Sequence, residues 1–451
     1  MTVFATRARL EGGWAQDVRL TLDAGMITAI QTGTKPQAGD VRVDTVLPAL
    51  ANLHSHSFQR AMAGMTEYRA AGRENFWTWR SLMYEFLDRL KPEHVTAVAG
   101  LAFMEMQLAG YASVGEFHYV HHQKGGASYD NRAELSMRIF EAAALTGIGL
   151  THLPVLYTYA GTGGQALAGG QLRFGNSVAQ FSDIMSSCRD ALSTLPADCK
   201  LGIAPHSLRA TLPDELRDVV ASHRGSPVHI HIAEQLQEVE EVQEKLGARP
   251  VEWLLENLNV DARWCLIHAT HMNASETTSL AKSGAVAGLC PVTEANLGDG
   301  IFNGRAYINA GGAFGIGTDS NVNISVIDEL RMLEYSQRLR HKERNVMLAD
   351  AGSVGEALYL GAAQGGAQAL ARNSGHIKVG ALADLVAINA NDPSLCALSD
   401  AQVLDGFIFA AKDRVVTDMW SAGRHQVQAG RHVAHDQIVS AFRAALTDLI
   451  A

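Results

Sequence analysis

The middle of the chain alternates short apolar runs with longer stretches of helical periodicity, whereas both ends alternate apolar and polar residues at every second position. Eight apolar runs lie in the middle segment, at residues 51–56, 113–119, 149–157, 201–207, 228–234, 265–271, 285–291 and 314–320. Each run is followed by a stretch that favours a helix, such as 326–342. Eight strands joined by helical crossovers predict a closed parallel (β/α)8 barrel rather than an open sheet.

The two ends of the chain read as short strands broken by glycine turns. We predict strands at 2–10, 17–33 and 41–48, and again at 376–390, 414–423 and 425–433. Two separated β-rich ends around a different middle indicate one small domain made from both. We therefore predict an α/β protein with a (β/α)8 barrel over 49–376 and a composite β-sandwich of 1–48 and 377–451.

Composition narrows the class of protein and its partners. Hydrophobic residues make up 47% and charged residues 19%, which predicts a soluble globular protein with a large core. The net charge of −10 and the absence of a Lys/Arg run argue against nucleic acid or an anionic membrane as partner. Five scattered cysteines, no signal peptide and no apolar run of about 18 residues predict a cytoplasmic protein without membrane spans.

Polar side chains recur where the predicted barrel strands end. They are His54, His56, His118, His206, His231, Glu234, His268 and Asp319. A single histidine at a strand end is more often an ordinary core residue than a ligand. Barrel enzymes, however, carry their chemistry at the carboxyl end of the strands, so this many polar side chains at one face predicts a functional site there.

The spacing of these residues indicates a metal centre. His54 and His56 are alternate residues of a strand and point to the same side. His231 comes from the HIHIAE run, and Asp319 can add an oxygen ligand from the last strand. Three imidazoles and a carboxylate favour Zn²⁺ with one position open for water, although Fe²⁺ or another divalent ion suits the same donors.

A series of motifs occurs in the order typical of one superfamily. They are PALANLHSH (48–56), HIHIAE (229–234), IHATH (267–271), CPVTEANLG (290–298), GTDS (317–320) and GALADLVAIN (380–389). On these motifs the chain resembles the mononuclear deaminase branch of the amidohydrolase superfamily over nearly its whole length. The resemblance implies one Zn²⁺ per subunit, because the fourth strand ends in His206 where binuclear relatives use a carboxylated lysine, and Lys200 lies at the start of that strand. It also implies a homodimer.

The resemblance assigns roles to three residues. It implies that Asp319 accepts a proton from the attacking water and that His268 stabilises the tetrahedral intermediate. Glu234 then carries a proton to the substrate nitrogen. Addition of water to a C=N carbon, followed by loss of ammonia, is hydrolytic deamination.

Four stretches resemble the subfamily that hydrolyses N-formimino-L-glutamate to N-formyl-L-glutamate and ammonia in histidine degradation. They are residues 54–64, 75–84, 116–122 and 204–210. A small dianionic substrate of this kind needs cationic partners for its two carboxylates, and Arg209 and Arg80 lie in predicted loops at the barrel mouth. The resemblance adds Gln59, Tyr119 and His206 as further substrate contacts.

Two other functions remain open at this point. An aminopurine or aminopyrimidine deaminase of the same superfamily, acting on guanine or S-adenosylhomocysteine, would have almost the same metal site. Trp77 and Trp79 suit the flat ring of such a substrate. A noncatalytic amidohydrolase-like scaffold is the remote alternative, and the presence of all the expected ligands argues against it.

Overall fold

Strands form where the sequence alternates apolar and polar residues or carries a short apolar run. The computed structural model describes residues 1–67 and 76–451. The N-terminal strands are β1 (Thr2–Leu10), β2 (Gly13–Asp23), β3 (Met26–Gln31) and β4 (Val41–Pro48). The strands of the middle segment are β5 (Leu50–Ser55), β6 (Tyr111–His118), β7 (Gly149–Leu156), β8 (Lys200–Leu201), β9 (Ala204–Pro205), β10 (Val228–Ile232), β11 (Trp264–His268), β12 (Val286–Leu289) and β13 (Ala313–Ile316). The C-terminal strands are β14 (Leu385–Ile388), β15 (Val416–Ser421), β16 (Arg424–Gln428) and β17 (Arg431–His432).

Helices lie between the strands of the middle segment and at the end of the chain. They are α1 (Phe76–Leu87), α2 (Pro92–Ala109), α3 (Glu134–Thr146), α4 (Val178–Leu192), α5 (Pro213–Ser222), α6 (Leu236–Leu246), α7 (Pro250–Asn257), α8 (Ala274–Ser283), α9 (Pro291–Leu297), α10 (Gly304–Asn309), α11 (Val326–His341), α12 (Val354–Ala369), α13 (Val403–Phe409) and α14 (His435–Ile450). In the described residues, none of these helices combines the length and apolar character needed to cross a bilayer.

The middle strands form two parallel sheets that adjoin at both edges. One sheet contains β5 to β9 and the other β10 to β13. Single parallel bridges join the sheets, Ser55 to Asp319 at one junction and Ile203 to Val228 at the other. The strands therefore follow one another in the cyclic order of a (β/α)8 barrel, with short bridges at the two junctions. This confirms the predicted fold class.

The fourth predicted strand is divided into β8 and β9, because the chain changes hydrogen-bonding partner between them. The N–H of Gly202 donates to the carbonyl of His152 on β7, whereas the N–H of Ile203 donates to the carbonyl of Pro227, next to β10. Gly202 suits this crowded position, since a Cβ there would lie 2.6 Å from a methyl carbon of Leu153. The interruption joins one parallel sheet to the other.

The two ends of the chain share one eight-stranded sheet, in the order β17-β16-β15-β14-β4-β1-β2-β3. Its N-terminal and C-terminal halves meet where β14 pairs antiparallel with β4. The predicted common β unit is thus present, while the domain limits at 48/49 and 376/377 stay a prediction. The sequence pattern missed α14, whose Ile438 packs on Leu101 and Met104 of α2.

Candidate active site

The ends of β5 and β13 come together and place the first histidines of the site. The N–H groups of Thr318 and Asp319 both donate to the carbonyl of His54, and the N–H of His56 donates to the carbonyl of Asp319. This close approach requires glycine at 317, since a Cβ there would lie 2.7 Å from the His54 carbonyl oxygen. Asp319 itself has a φ of +44°, a conformation that residues other than glycine rarely adopt outside turns and functional sites.

Four buried side chains converge at this point. One donor atom from each of His54, His56, His231 and Asp319 lies within 4.8 Å of the others. Asp319 Oδ1 is 3.5 Å from His54 Nε2 and 3.4 Å from His56 Nε2. The Nε2 atoms of His54 and His231 are 3.1 Å apart. The structure therefore brings together the four residues predicted as metal ligands.

The protonation of these groups suits a cation. Burial lowers the pKa of all three histidines, that of His54 to about 3, so the rings are neutral at pH 7. His56 Nδ1 donates to the carbonyl of Phe117 at 2.9 Å and His231 Nδ1 to that of His206 at 3.3 Å, which leaves a lone pair on each Nε2. Burial acts to raise the pKa of Asp319, but the adjacent imidazoles lower it below its usual range. Three neutral imidazole nitrogens and a carboxylate are a donor set that zinc accepts.

His268 lies beside this cluster at the end of β11 and is surrounded by carboxylates. Its Nδ1 donates to Glu294 Oε1 at 3.3 Å, while its Nε2 is 3.7 Å from Glu234 Oε1 and 3.9 Å from Asp319 Oδ2. Burial acts to lower the pKa of His268, but Glu234, Glu294 and Asp319 together raise it to about 10. The imidazole is therefore cationic at neutral pH and presents an Nε2–H donor toward the centre of the site.

Glu234 lies between His268 and Arg209. Burial raises the pKa of its carboxyl to about 7, and the charges of His268 and Arg209 oppose part of that effect. Its Oε2 is 3.9 Å from an Nη atom of Arg209. A carboxyl group with a pKa near neutrality can both accept and release a proton under physiological conditions.

A pocket of about 550 Å³ of empty space, including its open mouth, lies above the cluster. Its lining includes every residue predicted for the site except His54, which is fully buried beneath it. The lining residues are His56, Gln59, Phe76, Trp79, Arg80, Met83, Tyr119, Tyr157, Phe174, His206, Arg209, His231, Glu234, His268, Thr293, Leu297, Asp319 and Ser320. This volume suits a small molecule rather than a polymer.

The polar residues on the wall of the pocket are held in place. Gln59 Nε2 donates to the Tyr119 hydroxyl at 2.7 Å, and an Nη of Arg80 donates to the Tyr157 hydroxyl at 2.9 Å. The Arg80 guanidinium also stacks on the ring of Tyr84. Arg209 is buried, and its Nε has no hydrogen-bond acceptor among the described residues. Two guanidinium groups, those of Arg80 and Arg209, therefore face one pocket.

Sequence reasoning missed two contacts of the site. Glu294 orients His268 and also accepts from the N–H of Cys290 at 2.9 Å; the CPVTEANLG motif contained the signal. Tyr157 holds Arg80, and its position at the end of the third barrel strand was the available clue.

Other residues singled out from the sequence lie elsewhere. His118 packs against His121 and His152, outside the pocket lining. Of the predicted substrate-recognition stretch 75–84, residue Asn75 lies outside the described residues.

Comparisons with family models agree with this architecture. The model described as "Amidohydrolase family" matches residues 45–425. The model described as "Formimidoylglutamate deiminase HutF, N-terminal domain" matches residues 1–44. Together the two matches span most of the chain.

Individual proteins show the same similarity. Formimidoylglutamate deiminase of Pseudomonas aeruginosa is 47% identical over 451 residues, which is 99% of each chain. A 5-methylthioadenosine/S-adenosylhomocysteine deaminase of Natronomonas pharaonis is 25% identical over 94% of this chain and 89% of its own. The crystal structure of an amidohydrolase from Brucella melitensis has a TM-score of 0.96 and 48% identity over the full length of both chains. A zinc-bound adenosine deaminase from Xanthomonas campestris, at 20% identity and a TM-score of 0.81 over 100% of this chain and 98% of its own, shares the fold.

Proposed function

The chain belongs to the amidohydrolase family, and on that premise we propose that it hydrolyses N-formimino-L-glutamate to N-formyl-L-glutamate and ammonia. The observation that carries this proposal is a pocket with a hydrolytic centre at its floor and two arginines in its wall. The full-length similarity to a formimidoylglutamate deiminase supports the same substrate. The reaction belongs to the degradation of histidine.

Amidohydrolases depend on metal, and the cluster of His54, His56, His231 and Asp319 suits one ion per subunit. We assign Zn²⁺ to it, because neutral imidazoles and one carboxylate match the preference of that ion. Bound there, zinc supplies Lewis acidity, which makes water a competent nucleophile near neutral pH. The remaining steps depend on the side chains of this chain.

Glu234 and His268 are suited to move and stabilise charge during the reaction. Water adds to the formimino carbon, and Glu234 takes one of its protons and transfers it to the substrate nitrogen. The Nε2–H of His268 donates a hydrogen bond to the oxygen of the tetrahedral intermediate. Asp319, which is ionised before the reaction, accepts the other proton and passes it to the departing nitrogen. Cleavage of the C–N bond then releases ammonia and leaves the formyl product.

The wall of the pocket would hold the substrate by its two carboxylates. Arg209 and Arg80 each offer a planar guanidinium, which binds carboxylates through paired hydrogen bonds. Gln59, Tyr119 and His206 would complete the polar contacts. We further propose that the enzyme works as a cytoplasmic homodimer without nucleic-acid partners.

The proposed function is tested by measuring ammonia release from a panel of substrates, with protein of known metal content. The panel contains N-formimino-L-glutamate, guanine, S-adenosylhomocysteine and 5-methylthioadenosine. We expect turnover of the first substrate alone. Faster release from any of the heterocycles would assign the site to an aminopurine deaminase instead.

Replacing Arg209 with alanine is expected to lower kcat/KM for N-formimino-L-glutamate by about 10- to 100-fold, since a hydrogen bond to a charged group contributes about 1.5–3 kcal/mol. The zinc content should stay at one ion per chain, because Arg209 does not contact the metal cluster. Arg217→Ala on α5 is the matched control, since the Arg217 side chain is 42% exposed and pairs with Asp214 outside the pocket. Equal kinetics for the two variants would contradict the role of Arg209 as a carboxylate anchor.

A further inference from the structure

A second group of metal-binding side chains lies beside the first. One donor atom from each of His268, Cys290 and Asp319 lies within 4.8 Å of the other two. All three residues are buried, and Cys290 is fully inaccessible to solvent. Cys290 lies between β12 and α9, and its side chain packs in a buried cluster that includes Leu53 and Cys265.

The two groups share Asp319 but meet different oxygens of its carboxylate. Oδ1 lies near the Nε2 atoms of His54 and His56, at 3.5 and 3.4 Å. Oδ2 lies on the side of His268, 3.9 Å from its Nε2. A carboxylate can bind two ions through its two oxygens, so a second cation would not have to displace a ligand of the first.

The local charge favours an additional cation at this position. The His268 imidazole is contacted by the carboxylates of Glu234, Glu294 and Asp319. The guanidinium of Arg209 is 3.9 Å from the far oxygen of Glu234. Once the imidazole has lost its Nε2 proton, these carboxylates and the Cys290 thiolate outweigh the charge of Arg209, and a divalent ion would neutralise the excess negative charge.

The donor types decide which cation fits. A thiolate, an imidazole and a carboxylate suit Zn²⁺ or Cd²⁺, whereas Mg²⁺ and Ca²⁺ prefer oxygen ligands alone. We propose that His268, Cys290 and Asp319 form a second, inhibitory site for a thiophilic divalent cation next to the catalytic metal. Binding releases to solvent the thiol proton of Cys290 and the Nε2 proton of the His268 imidazolium, so that a thiolate, a neutral imidazole and the Asp319 carboxylate hold the cation. The inhibition rests on the proposed function of those two residues, whereas the binding does not.

The test uses the zinc-loaded enzyme with one zinc per chain, titrated with Cd²⁺. We expect one cadmium to bind per chain while the zinc is retained, with an ultraviolet thiolate-to-cadmium charge-transfer band in the difference spectrum. Deiminase activity should fall as that band grows and return when a mild chelator removes the cadmium. Stoichiometry and absorption report binding even if the protein proves inactive on N-formimino-L-glutamate, so failure of the proposed function is distinguishable from failure of this site.

Cys290→Ser is expected to abolish the absorption band and to weaken cadmium binding by at least about 10-fold. Removing a residue that only hydrogen-bonds to a metal ligand already lowers metal affinity by about that factor, so removing a ligand should lower it at least as much. Its activity without cadmium should stay close to that of the parent. Cys290→Ala replaces it if the serine variant fails to fold. Cys396→Ser, which removes the exposed cysteine, is the control and should keep the band. Loss of zinc for each cadmium bound, or a band that persists without Cys290 and disappears in Cys265→Ser, would overturn the proposal.

Discussion

Replacing His231 with alanine is expected to empty the metal centre and to abolish measurable deiminase activity. The Nε2 of His231 is 3.1 Å from that of His54, and its Nδ1–H is already occupied by the carbonyl of His206. Removing a residue that only hydrogen-bonds to a metal ligand lowers metal affinity by about 10- to 100-fold, and removing the ligand His231 itself should lower the affinity further. Elemental analysis of the purified variant, together with an ammonia assay, measures both effects.

The same strand provides a matched control. His229 is also fully buried on β10, two residues earlier, but its Nε2 donates to the carbonyl of Ala369 at 2.8 Å. His229→Ala removes a side chain of the same size from the same strand, so it should cost similar folding stability while leaving the zinc content near one per chain. If both variants keep their zinc, or both lose it, the assignment of His231 as a ligand is wrong.

The contrast between these two histidines shows what sequence periodicity can predict. Alternate residues of a strand share a face, so the spacing alone gives His229 and His231 the same direction. Only His231 is near the end of the strand, where β5 and the end of β13 contribute His54 and Asp319. The position along the strand, rather than the face, decides which histidine meets the metal cluster. That position was readable because the barrel places its chemistry at one end.

Other features depend on contacts that no local pattern encodes. Glu294 reaches His268 because α9 starts immediately after β12, and the sequence does not show how that turn directs the side chain. The division of the fourth strand follows from a change of hydrogen-bonding partner between two sheets. Tyr157 supports Arg80 from a loop 77 positions further along the chain. Such long-range pairings are set by packing. The sequence therefore predicted the positions of the strands better than it predicted residues such as Glu294 and Tyr157, which hold the site residues in place.

The site combines carboxylates in different protonation states within a few ångströms. The imidazoles around Asp319 keep it ionised, whereas burial brings the pKa of Glu234 to about 7. Both carboxylates contact the same imidazole, that of His268. One environment therefore keeps Asp319 anionic in the resting enzyme, as a metal ligand requires, and the other gives Glu234 a pKa at which it can exchange protons. This difference separates the proposed ligand from the proposed proton carrier.

Glu234→Gln is accordingly expected to lower kcat by about 10²- to 10⁴-fold, the range typical of a lost general acid–base group. Glutamine has nearly the same shape and still contacts His268 and Arg209, but it cannot accept the proton from water or deliver it to the substrate nitrogen. The zinc content and the KM should change little. Steady-state ammonia release with parallel metal analysis separates these quantities.

Glu238→Gln is the control for the burial and charge of this region. Glu238 is buried four residues further on, accepts from the N–H of Glu234 at 3.2 Å and is 3.7 Å from the Nε of Arg209. Among the described residues, the carboxylates that pair with His268 are those of Glu234, Glu294 and Asp319, and Glu238 is not one of them. The Glu238→Gln variant should therefore keep kcat within about 10-fold of the parent value, a change in activation free energy of at most about 1.4 kcal/mol. If the two variants lose kcat equally, the effect belongs to the charge balance around Arg209 and not to proton transfer by Glu234.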